Sequence, residues 1–497
     1  MNRHGVFALA ASVTVAGSVL PLSATVRTAA IFTDRMVLQA DQPVPVWGVA
    51  APGEEVRVTF SGKVSRTRAD QEGKWRVDLP PSGYVRQGTT LTVEGENRLE
   101  FKDVLVGEVW LGTGQSNMDY PLDLCEEGKT IAKGGVIPET VRYFHVPKDG
   151  DPAPRSMFDL PERCRWLTYT PENRKASEKM SMLMTFFAKR LHEELDVPIG
   201  VLGVAAGGAN LETWMSRETI AAAGTEKEAV ELMRRCEEWR RNDITRWENR
   251  PEKERNRPFP RINFESRPSQ AWNAMMCPIL PYRVRGILWY QGEMNTGWQL
   301  YLKQFPFFAA RLRSAFENPD LPLMIVQLPD YKEQHWIRIR DVQRILSGTI
   351  PHTGLAVTID GHEMELHPRD KRKVVDRLVR LALTDCYGRN IISRSPTPVR
   401  VRLEGRDLFV TFRDVGEALK LTDGQSPRTF EVVAADGKSH PVAAAIQSAD
   451  TVRLTLPEGV TEPQAVRYAW APDPDVNLVN SGDLPASPFE MKVEGHR

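Results

Sequence analysis

The stretch that most constrains this chain runs from Val104 to Met118: Val104-Leu105-Val106-Gly107-Glu108-Val109-Trp110-Leu111-Gly112-Thr113-Gly114-Gln115-Ser116-Asn117-Met118. Its first half is rich in Val and Leu and reads as a buried strand. Its second half passes through Gly112 and Gly114 and delivers Ser116 to the turn that follows. A strand that ends in glycines and then presents a hydroxyl exposes that hydroxyl at the edge of a sheet, with room for a substrate carbonyl. The nucleophile elbow G-x-S-x-G is not met, because Met118 stands where its second glycine would be. The other reading of Ser116 is a serine that caps a helix after a strand.

At 497 residues the chain is too long for one ordinary domain. Lys plus Arg is 65 and Asp plus Glu is 65, so there is no electrostatic reason to expect nucleic acid or an anionic membrane as partner. The first residues carry an export pattern: Arg3, an apolar run from Val6 to Leu20, and a small-residue cleavage site at Leu22-Ser23-Ala24. Residues 1–24 are therefore expected to be a signal peptide and the chain to be exported, periplasmic or secreted, with no membrane contact after cleavage. Five cysteines at wide spacing (Cys125, Cys164, Cys236, Cys277, Cys386) make neither a disulfide framework nor a zinc pattern, although one or two bridges are compatible with export.

Residues 25–103 are punctuated by short alternating runs and turn residues, as in a sandwich-like β module, with Pro45 marking an edge strand. From Val104 strands alternate with helices. Ser177 to Leu195 has a helical apolar face, and 197–204 is a continuous apolar strand ending in Ala205-Ala206-Gly207-Gly208-Ala209-Asn210. Further strands are expected at 284–290, 321–327 and 355–359, and helices at 301–316 and 371–383. Residues 217–262 are dense in Arg and Glu and read as a charged insertion. Residues 390–497 are β again. The fold class is α/β: a body over 104–389 with a parallel sheet, flanked by two β modules. In such sheets ligands bind beyond the carboxyl ends of the strands, so Ser116, Gly207-Gly208, Gln291 and the 360–367 loop should meet on one rim.

A hydroxyl nucleophile needs a base. The last of these loops offers His362 and His367, and His367 is preferred because Pro368 and the following helix hold it. The N–H groups of Ser116 and Gly208 and the side-chain amide of Gln291 are the expected oxyanion donors. Glu365 is the expected acid for His367, with Asp360 as the alternative. Gln115 and Asn117, which flank the serine, and Trp289 and Glu293, near Gln291, are the expected substrate contacts. The competing roles are core packing for Trp289 and loop buttressing for Glu293.

Taken together, these motifs resemble those of the sialate O-acetylesterase family, exported serine esterases of the SGNH hydrolase class. The resemblance is carried by Met36-Val37-Leu38-Gln39, Val44-Pro45-Val46-Trp47-Gly48, Val106-Gly107-Glu108-Val109-Trp110 and Gly114-Gln115-Ser116-Asn117-Met118. It continues through Asn273-Ala274-Met275-Met276, Trp289-Tyr290-Gln291-Gly292-Glu293, His367-Pro368 with Lys371, Ala465-Val466-Arg467-Tyr468-Ala469-Trp470 and Leu484-Pro485-Ala486-Ser487-Pro488-Phe489. It implies a flavodoxin-like three-layer body, Ser116 as nucleophile, His367 as base, and Gly208 and Gln291 in the oxyanion hole. It also implies removal of O-acetyl groups from sialic acid or a sialoglycan, with no metal and no cofactor. Many SGNH enzymes carry Asp three residues before the histidine, where this chain has Met364. The acid is then Glu365 or Asp360, or the serine–histidine pair acts without one. An acetylesterase for xylan or another acetylated glycan is the second reading, and an inactive sugar-binding protein the third.

Overall fold

The strand Arg98–Gly114 organises the molecule. In the structure, a computed structural model that describes residues 25–249, 251 and 267–494, its burial changes character midway. Up to Asp103 exposed and half-buried residues alternate; from Val104 every residue is buried. The first part pairs antiparallel with Val85–Glu94, and the second lies between Ile199–Ala205 and Gly286–Tyr290 in parallel. The division expected at 103/104 thus falls inside one strand, which carries the chain from the N-terminal β segment into the body without a linker.

The body's sheet is mixed. Six parallel strands run in the order Val141–His145, Ile199–Ala205, Arg98–Gly114, Gly286–Tyr290, Leu323–Val326, Thr353–Ala356, with Trp166–Leu167 antiparallel at one edge. All five expected strands are present, and Val141–His145 is added. Because side chains alternate across a strand, the sheet feeds two cores. Leu111, Ile287, Trp289 and Ile325 meet the helices Trp298–Ala315 and His335–Thr349. Trp110, Leu288, Tyr290 and Met324 meet Met182–Leu195 and Arg372–Tyr387 on the other side. Each such side chain contributes roughly 1.5–3 kcal/mol on full burial, so the central strands are fixed by packing on both faces.

A buried carboxylate ties the N-terminal segment to this body. Glu108 is fully buried and accepts hydrogen bonds from Gln39 Nε2 (3.1 Å), Tyr84 Oη (3.0 Å), Tyr387 Oη (3.1 Å) and the fork of Arg285 (2.6 and 3.0 Å). A charge buried at this depth persists only when paired and hydrogen-bonded, and here both segments supply the partners.

In the N-terminal segment, Val44–Val49 is flanked by Arg27–Thr28 and Lys74–Leu79, so Pro45 is not on an edge strand. It is tolerated because Arg27–Thr28 reaches only Gly48 and Val49, leaving Pro45 with a ladder on one side. The C-terminal segment forms two four-stranded sheets and a two-stranded one. Its core takes in Val357 and Ile359, which follow the body's last strand, so it anchors the start of the loop that carries His367. The charged insertion begins as the helices Arg217–Ala222 and Glu226–Glu248, and the turn between them is tied to Trp298–Ala315 by Lys303 Nζ donating to Gly224 O at 2.9 Å. The remainder of the insertion beyond 251 and the expected signal peptide lie outside the described residues. No helix among the described residues is long and apolar enough to cross a membrane. Cys125, Cys164, Cys277 and Cys386 are free thiols.

Candidate active site

Ser116 lies two residues beyond the end of the central strand, in a turn closed by Met118 N and Asp119 N, which both donate to Gln115 O at 2.9 Å. The turn is stitched to the neighbouring strand ends: Gln115 N donates to Tyr290 O (2.9 Å), and Ala206 N donates to Gly114 O (3.1 Å). Gly114 is required there. Its φ is +133°, and a Cβ on it would lie 2.2 Å from Tyr290 O. The helix-cap reading of Ser116 fails, because its side chain bonds to no described residue and the next α-helix, Glu126–Ala132, is capped by Cys125. The N–H groups of Ser116 and Gly208 donate to no partner among the described residues, and Gly208 sits in a left-handed turn (φ +83°) beside the serine's turn.

Asn117 joins this turn to the histidine loop. Its Nδ2 donates to Glu293 Oε1 (2.8 Å) and to Leu366 O (3.0 Å), and its Oδ1 accepts from Lys371 Nζ (2.7 Å). Asn117 follows Ser116 and Leu366 precedes His367, so this bond brings the segments carrying serine and histidine side by side. The His367 ring stacks on Tyr120 with centroids 5.5 Å apart, and its Nε2 is buried without a partner. Burial, then the charge of Lys371, lowers the His367 pKa below its ordinary value, while Glu365 acts in the opposite sense. The imidazole is therefore neutral at pH 7, the form that takes a proton. Lys371 is itself buried between the rings of Tyr120 and Tyr290; burial brings its pKa down to about 8 against the attraction of Glu293 and Glu363. Burial raises the pKa of Glu293, with Asn117 and Lys371 opposing.

Neither expected acid reaches His367. The Glu365 side chain is exposed and forms no hydrogen bond with any described residue. Asp360 is turned the other way: Arg377 holds both its oxygens at 2.8 and 2.7 Å, and Lys373 approaches at 3.2 Å. The loop bends at His362 and Met364, which both have positive φ, and this directs Glu365 outward. His362 faces Asp473 at 3.6 Å. Asp330, His362 and Asp473 could in principle share a cation, since their ligand atoms lie within 4.8 Å of one another. The buried guanidinium of Arg340 already supplies positive charge to both aspartates.

Other expected roles also change. Gln291 is fully buried, and its amide is committed: Nε2 donates to Ala209 O (3.2 Å) and to Asn295 Oδ1 (2.6 Å). It braces the Gly207-Gly208-Ala209 loop and leaves no amide proton for an oxyanion. Trp289 is core: its Nε1 donates to Tyr301 Oη at 3.1 Å and its ring packs on Phe308. Glu293 and Asn117 are buried in the tie between the loops, so both buttress the site rather than line it. Gln115 is buried too, with Oε1 unpartnered. The sequence reading missed Tyr120, the ion pair of Lys148 with Asp119 (3.1 Å) and the mechanical role of Lys371. Only Lys371 had a signal, its place in the His367-Pro368 motif.

A hydroxyl on a turn at the central switch point of a parallel sheet, with free amide protons and a neutral imidazole on the neighbouring loops, is the arrangement of a hydrolase that attacks carbonyls. The comparisons agree on the class: the chain is a carboxylic ester hydrolase. The family model for carbohydrate esterases described as sialic acid-specific acetylesterases matches residues 106–373, more than half of the chain, and the chain belongs to that family. The sialate O-acetylesterases of Mus musculus and Homo sapiens are 28% and 26% identical to it, the alignments covering 95% of both chains for the mouse protein and 96% of both for the human one. A carbohydrate acetylesterase from Xanthomonas citri of known structure superposes with a TM-score of 0.78 at 31% identity, over 94% of this chain and 99% of that one.

Proposed function

We propose that this chain is a serine esterase that removes O-acetyl groups from sialic acid, free or in a sialoglycan, through an acyl-enzyme on Ser116, and that it works after export. On this reading its body is a three-layer SGNH hydrolase. Neutral His367 takes the Ser116 proton as Oγ attacks the acetyl carbonyl, and the N–H groups of Ser116 and Gly208 receive the oxyanion. His367 then protonates the departing sugar hydroxyl, and a water activated by the same imidazole releases acetate. With neither Glu365 nor Asp360 bonded to it, the imidazole is held by the stack on Tyr120 and by the Asn117–Leu366 tie.

The observation that carries this reading is the pair of unengaged N–H groups beside Ser116, on the same rim as a neutral, half-buried imidazole whose Nε2 is enclosed. The test is release of acetate by the purified chain from mono- and di-O-acetylated sialic acids, together with labelling by a fluorophosphonate. Turnover of these sugars and labelling at Ser116 are expected; no labelling at Ser116 overturns the mechanism. A second reading, an acetylesterase for xylan or another neutral glycan, is favoured by the relative from Xanthomonas citri, whose description specifies only a carbohydrate. Faster release from acetylated xylan than from acetylated sialic acid would select it.

A further inference from the structure

Lys148 follows the strand Val141–His145, whose carboxyl end lies on the same rim as Ser116. It approaches the serine across Gly207. A Cβ on Gly207 would sit 3.3 Å from Lys148 Nζ and 3.4 Å from Ser116 Cβ. The ammonium and the serine therefore flank one small space, kept open because position 207 has no side chain.

The ammonium is also placed to be used. Its partner Asp119 lies underneath, with a side chain 17% exposed against 45% for Lys148. The contact to Asp119 Oδ2 at 3.1 Å occupies one of three donors, and the side chain is half exposed. Lys371, by contrast, is buried and committed to Asn117. In the insertion, Arg234 is paired with Glu231 and Glu238 of its own helix.

We propose that Lys148 is the specificity-determining residue of this site, receiving the carboxylate of an acidic sugar while that sugar's O-acetyl group lies over Ser116. This rests on the acetylesterase reading and narrows its substrates to acetylated sugars that carry an anionic group on the same sugar unit. A carboxylate that meets a half-desolvated ammonium forms a charge-assisted hydrogen bond that a neutral sugar does not offer.

The test compares an O-acetylated sialic acid with its carboxamide, which keeps the shape and removes the charge. The wild-type chain is expected to favour the acid by about tenfold in kcat/KM, expressed mainly in KM. Lys148→Met is expected to bring that ratio to about one, and Lys148→Arg to keep most of it. A wild-type ratio near one, or a Lys148→Met chain that keeps the preference, overturns the proposal. Calorimetric affinities of the wild-type and Lys148→Met chains for deacetylated sialic acid and its carboxamide give the same ratio without turnover. If the chain releases acetate from no ester, the esterase reading fails while this affinity ratio still decides the role of Lys148.

Discussion

The turn that carries Ser116 and the loop that carries His367 are held in different ways. Ser116 stands at the end of a strand whose last eleven residues are buried, and backbone hydrogen bonds to both neighbouring strand ends fix its turn. His367 stands on a loop whose residues 361, 362 and 364–366 are exposed and which bends through two left-handed non-glycine residues. Such residues cost of order 1–3 kcal/mol each. Below, the C-terminal core grips that loop at Val357 and Ile359; above, the helix Arg372–Tyr387 takes over. Between these anchors the bond from Asn117 to Leu366 O holds it to the serine's turn. The serine is placed by the sheet, and the histidine is placed by side chains.

On the proposed mechanism the largest effects should come from Ser116 and His367. Ser116→Ala is expected to abolish acetate release from a chromogenic acetyl ester, and His367→Ala to lower kcat by about a thousandfold or more. In the wild-type chain the rate should rise with pH through an apparent pKa below 6.5, since the imidazole's pKa is lowered and only its neutral form accepts the proton. A profile that falls across that range would contradict His367 as base. A thousandfold loss with an unchanged circular dichroism spectrum would assign the effect to chemistry.

Asn117→Ala probes the tie directly. It strips Lys371 of its acceptor and unties Leu366, while the backbone of the serine turn keeps its own hydrogen bonds. We expect kcat to fall by roughly ten- to a hundredfold, the scale at which a misplaced catalytic group is felt, while labelling of Ser116 by a fluorophosphonate is better preserved than turnover. Equal losses in both would mean that the tie also shapes the serine turn, and the contrast between the two halves would disappear. Glu365→Gln should change kcat/KM by less than about twofold, because an exposed carboxylate without a hydrogen bond to the imidazole adds little through water. A loss above tenfold would show that Glu365 swings onto His367 when substrate binds.

The same contrast explains what could be read from the chain alone. The five body strands were legible because they are apolar runs, as covering both faces of a sheet demands, and three of them lead into glycine-bearing loops. The turn that carries Ser116 was legible for the same reason. The strand Val141–His145 was missed because Arg142 interrupts its apolar run; that arginine is buried by bonding to Asp103, which no local pattern announces. The acid for His367 was misjudged because nearness in sequence was taken for reach, whereas two left-handed residues turn Glu365 outward and Arg377 takes Asp360. Gln291 was misassigned because a sequence shows that an amide is present but not that Ala209 O and Asn295 have already taken its protons. Asn117 and Lys371 are 254 residues apart, and their contact exists only once the rim has assembled.

Asp119 is read in stability rather than in rate, and tests whether the serine's turn carries a cost of its own. Its carboxyl lies beneath Lys148, and burial, only partly offset by that ammonium, pushes its pKa up to about 6 from 3.8. The folded chain thus prefers the protonated form. That preference stabilises the fold fully below pH 3.8 and is lost as pH rises through 6, a change of about 3 kcal/mol at 1.36 kcal/mol per unit. Asp119→Asn keeps the shape and removes the titration. Its stability to urea at pH 7.5 should exceed that of the wild-type chain, and the gap should close toward pH 4. A gap that does not depend on pH would mean that Asp119 stays charged in the fold throughout. A variant less stable at pH 7.5 would mean that the bridge to Lys148 outweighs the burial, and that both halves of the site are then held by side chains.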